Sequence, residues 1–227
     1  MLTESTSSNR RLAALVALAA LTVFAVAAVC VRVLYTGTPG YLNLVWNLAL
    51  AWVPFVVALG VYDGYRRRAG ALPLLAGGAV WLLFLPNAPY LVTDVALLRH
   101  VGGAPVWFDV VLVSSAAWAG LLLGFLSLYL VHAVVSRIVG ALNAWAFVVA
   151  VLALSSFGIY LGRFQRWNSW DVVTRPKLLL GDIAERAVDP FSNGRAVAVT
   201  VLFTVFLTLT YAVFYSVARL ALDERRA

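Results

Sequence analysis

The sequence predicts an all-α fold, a polytopic membrane bundle of six transmembrane helices, and three observations carry that expectation. The chain of 227 residues is 63% hydrophobic and 12% charged, where soluble domains run at about 45–50% and about 25%. That much apolar surface exceeds what one soluble domain interior can hide, so the solvent has to be a bilayer. Six stretches approach or reach the roughly 20 apolar residues that cross about 30 Å of hydrocarbon. They are continuously apolar rather than alternating, which excludes a lipid-facing sheet with open edges. Cys30 is the only cysteine, which excludes a disulfide-stapled secreted domain.

A polar head, residues 1–11, precedes the first span, Leu12 to Tyr35. Arg10 and Arg11 followed by an apolar run also resemble a signal peptide, with cleavage near Ala27. The apolar core from Leu12 to Val31 is 20 residues, longer than a secretory core, which favours a retained helix. Val29 stands where a lipoprotein signal needs a small residue, which argues against a lipid anchor at Cys30. The second span, Tyr41 to Tyr62, carries Asn43 and Asn47.

The third span, Ala71 to about Val92, is the irregular one. Its apolar run ends at Leu85, after 15 residues or about 22 Å of helix, and Pro86-Asn87-Ala88-Pro89-Tyr90 follows. The two prolines remove backbone donors and disfavour α geometry at Leu85 and Ala88, so the helix should break there. Exposed carbonyls at a break are tolerated only under protein or water, so it should face the bundle interior or a wet cavity. A plain proline kink and a broken-helix binding element are the two readings of that break.

The fourth span, Trp107 to His132, lines Ala116, Gly120 and Gly124 along one face, where a neighbouring backbone can approach closely; a homodimer face is the alternative. Gly158 and Gly162 repeat the spacing in the fifth span, Ile138 to Leu161. The loop 162–195 is too polar to span. Within it Leu179, Leu180, Ile183, Ala187 and Phe191 recur at helical steps, with Asp182 and Arg186 as an i,i+4 pair, between Pro176 and Asp189-Pro190. That pattern predicts a short amphipathic surface helix. Asn193-Gly194 turns into the sixth span, Ala196 to Leu220, and a tail, 221–227, closes the single six-helix membrane domain.

Orientation follows from the 17 basic residues. With the N-terminus in the cytoplasm, nine lie inside and eight outside, but six of the outer eight share one loop diluted by Asp171, Asp182, Glu185 and Asp189. The inner ones cluster at span ends, above all Arg66-Arg67-Arg68, where the positive-inside bias acts. Both termini are therefore expected in the cytoplasm of a plasma-membrane protein. The net charge of +7 is split between two faces and forms no nucleic-acid stripe; membrane lipids are its expected partners.

With that layout the polar residues collect on the external half: Asn47 in the second span, Asn87, Tyr90 and Asp94 at the third-span break, Asp109 in the fourth, and Arg163, Arg166, Trp167, Asn168, Trp170 and Asp171 at the fifth-span exit. Charges at hydrocarbon depth cost at least about 2.5–3.5 kcal/mol each, so those that persist are paired or face water. Arg163 and Arg166 are the available partners of Asp94 and Asp109, and at least one Asp–Arg pair between the third or fourth span and the fifth-span exit is expected. An interfacial belt that merely anchors the bundle is the competing reading. If the fifth helix continues past Leu161, Arg163, Trp167 and Trp170 share one face, with Asn168 and Asp171 on another. Asp94, His100 and Asp109 offer metal-ligand chemistry without metal-ligand spacing, so no metal or other cofactor is predicted, His100 being the weak candidate. No phosphate loop, dinucleotide fingerprint or nucleophile elbow occurs, and His132 reads as a satisfied polar group in an apolar stretch.

Three strings carry a resemblance: Trp81 to Asp94 with its Pro-Asn-Ala-Pro-Tyr core, Trp107-Phe108-Asp109, and Ser156 to Asp171 with Arg-Trp-Asn-Ser-Trp-Asp. Together they resemble the domain of unknown function family 1361, multi-span bacterial and archaeal membrane proteins, over roughly Leu34 to Ala218. The resemblance implies a fold and a set of positions worth testing, and no activity. The chain is expected to bind a small or lipid-linked ligand in an external polar pocket, either as a membrane-embedded enzyme, with Asp94 or Asp109 as general base and Arg163 or Arg166 on phosphate, or as a binding protein. A solute transporter built on the broken third helix is the alternative, and an assembly partner the third.

Overall fold

The computed structural model describes residues 2–99, 103–188 and 193–223. Every element in them is helical: α1 Leu2–Thr36, α2 Leu42–Arg66, α3 Ala71–Phe84, α4 Asn87–Tyr90, a 3-10 stretch Leu91–Arg99, α5 Val106–Val139, α6 Ala141–Gln165, α7 Asp171–Thr174, α8 Pro176–Val188 and α9 Gly194–Asp223. Six segments are long and apolar enough to cross a membrane: Leu12–Thr36, Leu42–Arg66, Ala71–Leu98, Val106–Val139, Ala141–Gln165 and Gly194–Leu220. Large apolar side chains such as Leu34, Leu142 and Leu202 stand exposed along them, the pattern of a protein whose outer surface meets lipid.

Two span ends have a visible local reason. Gly37, at φ +65°, donates its N–H to the Val33 carbonyl and closes α1 in a left-handed turn. The fourth span runs seven residues past its expected end at His132, to Val139. His132 is buried and hydrogen-bonded to Tyr211 at 3.0 Å, so nothing at that position asks the helix to stop. Gly140, at φ +85°, makes the turn instead, and Ile138 and Val139 belong to α5 rather than to the fifth span.

The chain packs as two compact units, one of Met1–Val53 with Asn87–Gly124 and one of Pro54–Pro86 with Phe125–Ala227. The first contains α1, the start of α2, the third-span break and the first half of α5. Its close contacts are made by small residues. A Cβ at Gly120 would overlap the Ala88 carbonyl oxygen and lie 2.6 Å from Leu91 Cδ1, and one at Gly124 would lie 3.1 Å from Ala88 Cβ. The Ala116-Gly120-Gly124 face thus receives the broken third span itself.

The second unit holds all of α3 and most of the helical mass. Trp81 is buried, donates Nε1–H to Ser127 Oγ at 3.2 Å and lies 6.3 Å from the Phe147 ring. Pro86 sits on Gly158, where a Cβ would come within 2.8 Å of Pro86 Cγ. His132, Trp145, Tyr211 and Tyr215 form one aromatic cluster with centroids 5.1–6.2 Å apart.

The third span breaks where expected, with a different backbone. Leu85 keeps right-handed helical angles, φ −53° and ψ −40°, because its N–H still bonds to the Trp81 carbonyl at 2.8 Å. Ala88 is also helical. The prolines therefore end α3 by withholding donors, and the chain continues as a one-turn helix and a 3-10 stretch that reaches Arg99 rather than Val92. Leu85, Ala88, Pro89 and Leu91 are buried, so the irregular backbone is covered by protein as the bilayer requires.

The surface helix is present as α8, starting at Pro176. Leu179 is buried, and Ile183 packs with it against Tyr160, Leu161 and Ala196. Leu180 is exposed and does not share that face. The Asp182–Arg186 pair forms at 3.6 Å. The environments of Ala187 and Phe191, and the stop at Asp189-Pro190, lie outside the described residues, as does His100.

Candidate functional site

Two of the buried carboxylates, Asp94 and Asp109, lie in the first unit; a third, Asp171, lies in the second. Asp109, in the first turn of α5, accepts two hydrogen bonds from Arg32 of α1, Nε to Oδ1 at 2.7 Å and Nη2 to Oδ2 at 3.2 Å. The side chains are 0% and 5% exposed. The fork-to-carboxylate geometry is the strongest form an ion pair takes. The Arg32 guanidinium also stands 4.7 Å from the centroid of the Tyr41 ring, a cation–π contact. Tyr41 is buried with its backbone at φ +67°, a conformation that costs a bulky residue free energy and that its surroundings must hold in place. Asp109 thus takes an arginine from the first span, a partner that is not among those expected for it. Arg32 and Tyr41 are the residues that sequence reasoning missed; Arg32 was visible only as a lone charge at the end of the first apolar run.

Asp94 is also buried, in the 3-10 stretch, and accepts Asn47 Nδ2–H at 3.2 Å. Asn87 and Tyr90 are half-buried in α4, one turn before it, and Thr93 Oγ1 donates to the Tyr90 carbonyl. Five of the expected residues, Asn47, Asn87, Tyr90, Asp94 and Asp109, therefore belong to one unit.

The other six belong to the second unit. There α6 continues past Leu161 to Gln165 and is closed by Arg166, which adopts left-handed angles, φ 59° and ψ 30°, so that its N–H and that of Trp167 both reach the Leu161 carbonyl. The reversal takes Trp167 and Trp170 off the helix, and the shared face expected with Arg163 does not form. Trp167 donates Nε1–H to Asp182 at 2.8 Å and stacks under Arg175. Ser169 Oγ donates to the carbonyl of Leu83 in the last turn of α3, capping it from the loop. Arg166, Asn168 and Trp170 are exposed, and Arg163 is half-buried.

Asp171 organises this loop. Its carboxylate accepts the Asn168 backbone N–H at 2.8 Å, the Thr174 hydroxyl at 3.1 Å and Arg175 at 2.9 and 3.1 Å. The Asn168 backbone bond, then Arg175 and Thr174, hold its carboxyl below the ordinary value of 3.8. A carboxyl with a depressed folded-state value favours folding above its unfolded value, and that contribution is lost as pH falls through the lower folded value. The loop is therefore expected to keep this stabilisation at and above the ordinary carboxylate value and to lose it progressively as pH falls through the lower folded value. Fluorescence of Trp167 and Trp170 reports the loss, and Asp171→Asn removes this pH dependence.

Six helices long and apolar enough to cross a membrane define the class: a multi-pass α-helical membrane protein. Within that class the chain belongs to the family described as Protein of unknown function (DUF1361), whose family model matches residues 46–210. The match covers Asn47 and every expected site residue through Asp171, while Arg32 and Tyr41 lie before it. No curated protein and no solved structure matches the chain.

Proposed function

We propose that the protein binds a small or lipid-linked polar ligand at the buried polar cluster around Asp94, as a membrane-embedded enzyme or binding protein of the plasma membrane of a bacterium or archaeon. Its termini lie in the cytoplasm, with Arg66-Arg67-Arg68 on the inner face and the Asp94 end outside. The observation that carries the reading is Asp94 itself, a carboxylate 1% exposed at the broken third span. An ionisable group at that depth is retained by default for what it binds or transfers. Both Asp109 oxygens are used by Arg32, so Asp109 serves as a fixed counter-ion, and Asp94 is the stronger candidate for a general base. A structural reading has its own support in Asp171, whose partners are all local and fold the loop.

The test replaces the native gene with Asp94→Asn, which preserves size and the capacity to bond to Asn47. The expected protein accumulates in the membrane at the wild-type level while the membrane lipid profile, read by mass spectrometry, matches that of a gene deletion. A wild-type profile from a normally accumulating Asp94→Asn protein sinks the proposal and leaves the structural reading. A reporter fused after Arg226 checks the orientation; its appearance outside the cell reverses it.

A further inference from the structure

The sharp turn from α2 to α3 encloses an open cavity of about 540 Å³ that no part of the Asp94 reading uses. Its walls carry Tyr65 and Arg66 from the end of α2, Arg68 and Ala69 from the turn that follows, Ala71 and Leu74 from the start of α3, and Arg137 from the last turn of α5. Three arginines, two at the α2-to-α3 turn and one in the last turn of α5, line one space. Among the described residues none of the three side chains makes an ion pair or hydrogen bond. Asp63, the nearest carboxylate along the chain, does not line the cavity.

We propose that this cavity is a phosphate-binding site, filled in a bilayer by the headgroup of an anionic phospholipid. Three like charges facing one cavity repel one another, and an anion among them removes that repulsion while offering each fork its preferred acceptor. The backbone fixes the arrangement. Arg68 is held at φ 58° in a turn closed by the Ala69 N–H on the Gly64 carbonyl at 2.9 Å. The start of α3 adds to the same field: Gly70 supplies no side-chain cap, so the N–H groups of Ala71 and Leu72 remain available beside the arginines. Leu72 and Leu75, in the first turns of α3, are 79% and 71% exposed and give an acyl chain an apolar track beside the headgroup. That track favours a lipid as the source of the phosphate. Basic pockets between span ends are the recurring form of such sites. The inference is independent of Asp94, and it holds for either orientation because both leaflets present headgroups.

The test uses the purified full chain, delipidated in detergent and titrated with phosphatidylglycerol or phosphatidylcholine, with retained lipid read by native mass spectrometry. Phosphatidylglycerol is expected to bind preferentially, and Arg66→Gln and Arg137→Gln are each expected to weaken it about tenfold, the loss of one charge-assisted contact. Arg67→Gln removes the same charge from a residue that does not line the cavity, and binding should stay within about twofold of wild type. Because Arg66 and Arg137 lie on different helices and are both exposed, agreement between them separates a local site from a fold defect. Millimolar inorganic phosphate distinguishes the sources: lipid that stays bound assigns the site to headgroup and chain together, and lipid displaced assigns it to phosphate alone. Equal loss on Arg67→Gln and Arg66→Gln, or equal binding of the two lipids, overturns the proposal.

Discussion

Asp109→Asn lowers the stability of the folded chain by about 3–5 kcal/mol, the cost of leaving one member of a buried ion pair without its counter-charge. Arg32 is fully buried and its partner 5% exposed at the side chain, so solvent screens the pair very little. An asparagine in place of Asp109 keeps the shape and removes this counter-charge from the guanidinium. Arg32→Gln acts in the same direction from the other side. The double variant Arg32→Met/Asp109→Leu recovers most of the loss, because an apolar pair of similar volume removes both desolvation penalties. Denaturant unfolding in detergent followed by tryptophan fluorescence gives all three values and closes the double-mutant cycle. Single variants within about 0.5 kcal/mol of wild type show that the pair is solvated in the membrane and sink the expectation. The Asp171–Arg175 pair is the internal contrast. Its arginine is 55% exposed, and Arg175→Gln should cost no more than about 1 kcal/mol.

Gly120→Ala costs about 3 kcal/mol, at the upper end of overpacking penalties, because the obstacle is a backbone carbonyl. The added methyl overlaps the Ala88 oxygen and meets Leu91, and neither the fold of α4 nor the start of the 3-10 stretch leaves room to retreat. Gly60→Ala supplies the control. Gly60 is interior to α2 with nothing within 4 Å of the added carbon, so alanine there should be neutral or stabilising by about 0.5–1 kcal/mol. Equal effects at the two positions, measured by the same unfolding experiment, show that α4 does not press on α5.

The six spans were legible because apolar length is a property each segment carries alone. The ends were less so. His132 looked like a boundary because a polar residue in lipid is costly, but Tyr211, from a helix 79 residues away, satisfies it, and no local rule contains that partner. The break at Pro86 was legible from the missing donors, whereas the persistence of helical angles at Leu85 depends on a hydrogen bond that proline chemistry does not forbid. The same asymmetry governs the site. Motif strings drew attention to Asp94, Asp109 and the Arg163 to Asp171 run, and they were silent about Arg32, an isolated charge with no motif around it. Asp171 stood out as a site residue from its string, and its carboxylate is bonded within its own loop, to Asn168, Thr174 and Arg175.

The pairing of Arg32 with Asp109 also orders events during synthesis. The two residues are 77 positions apart, and at about 5–20 residues per second the arginine leaves the ribosome roughly 4–15 s before its partner. For that interval the first span holds a guanidinium without Asp109 to meet it. Arg32 lies four residues from the end of α1, close enough to reach the headgroups with its long side chain while it waits. The first helix therefore enters the bilayer in a provisional position, and its final seating is a late step that the arrival of the fourth span triggers.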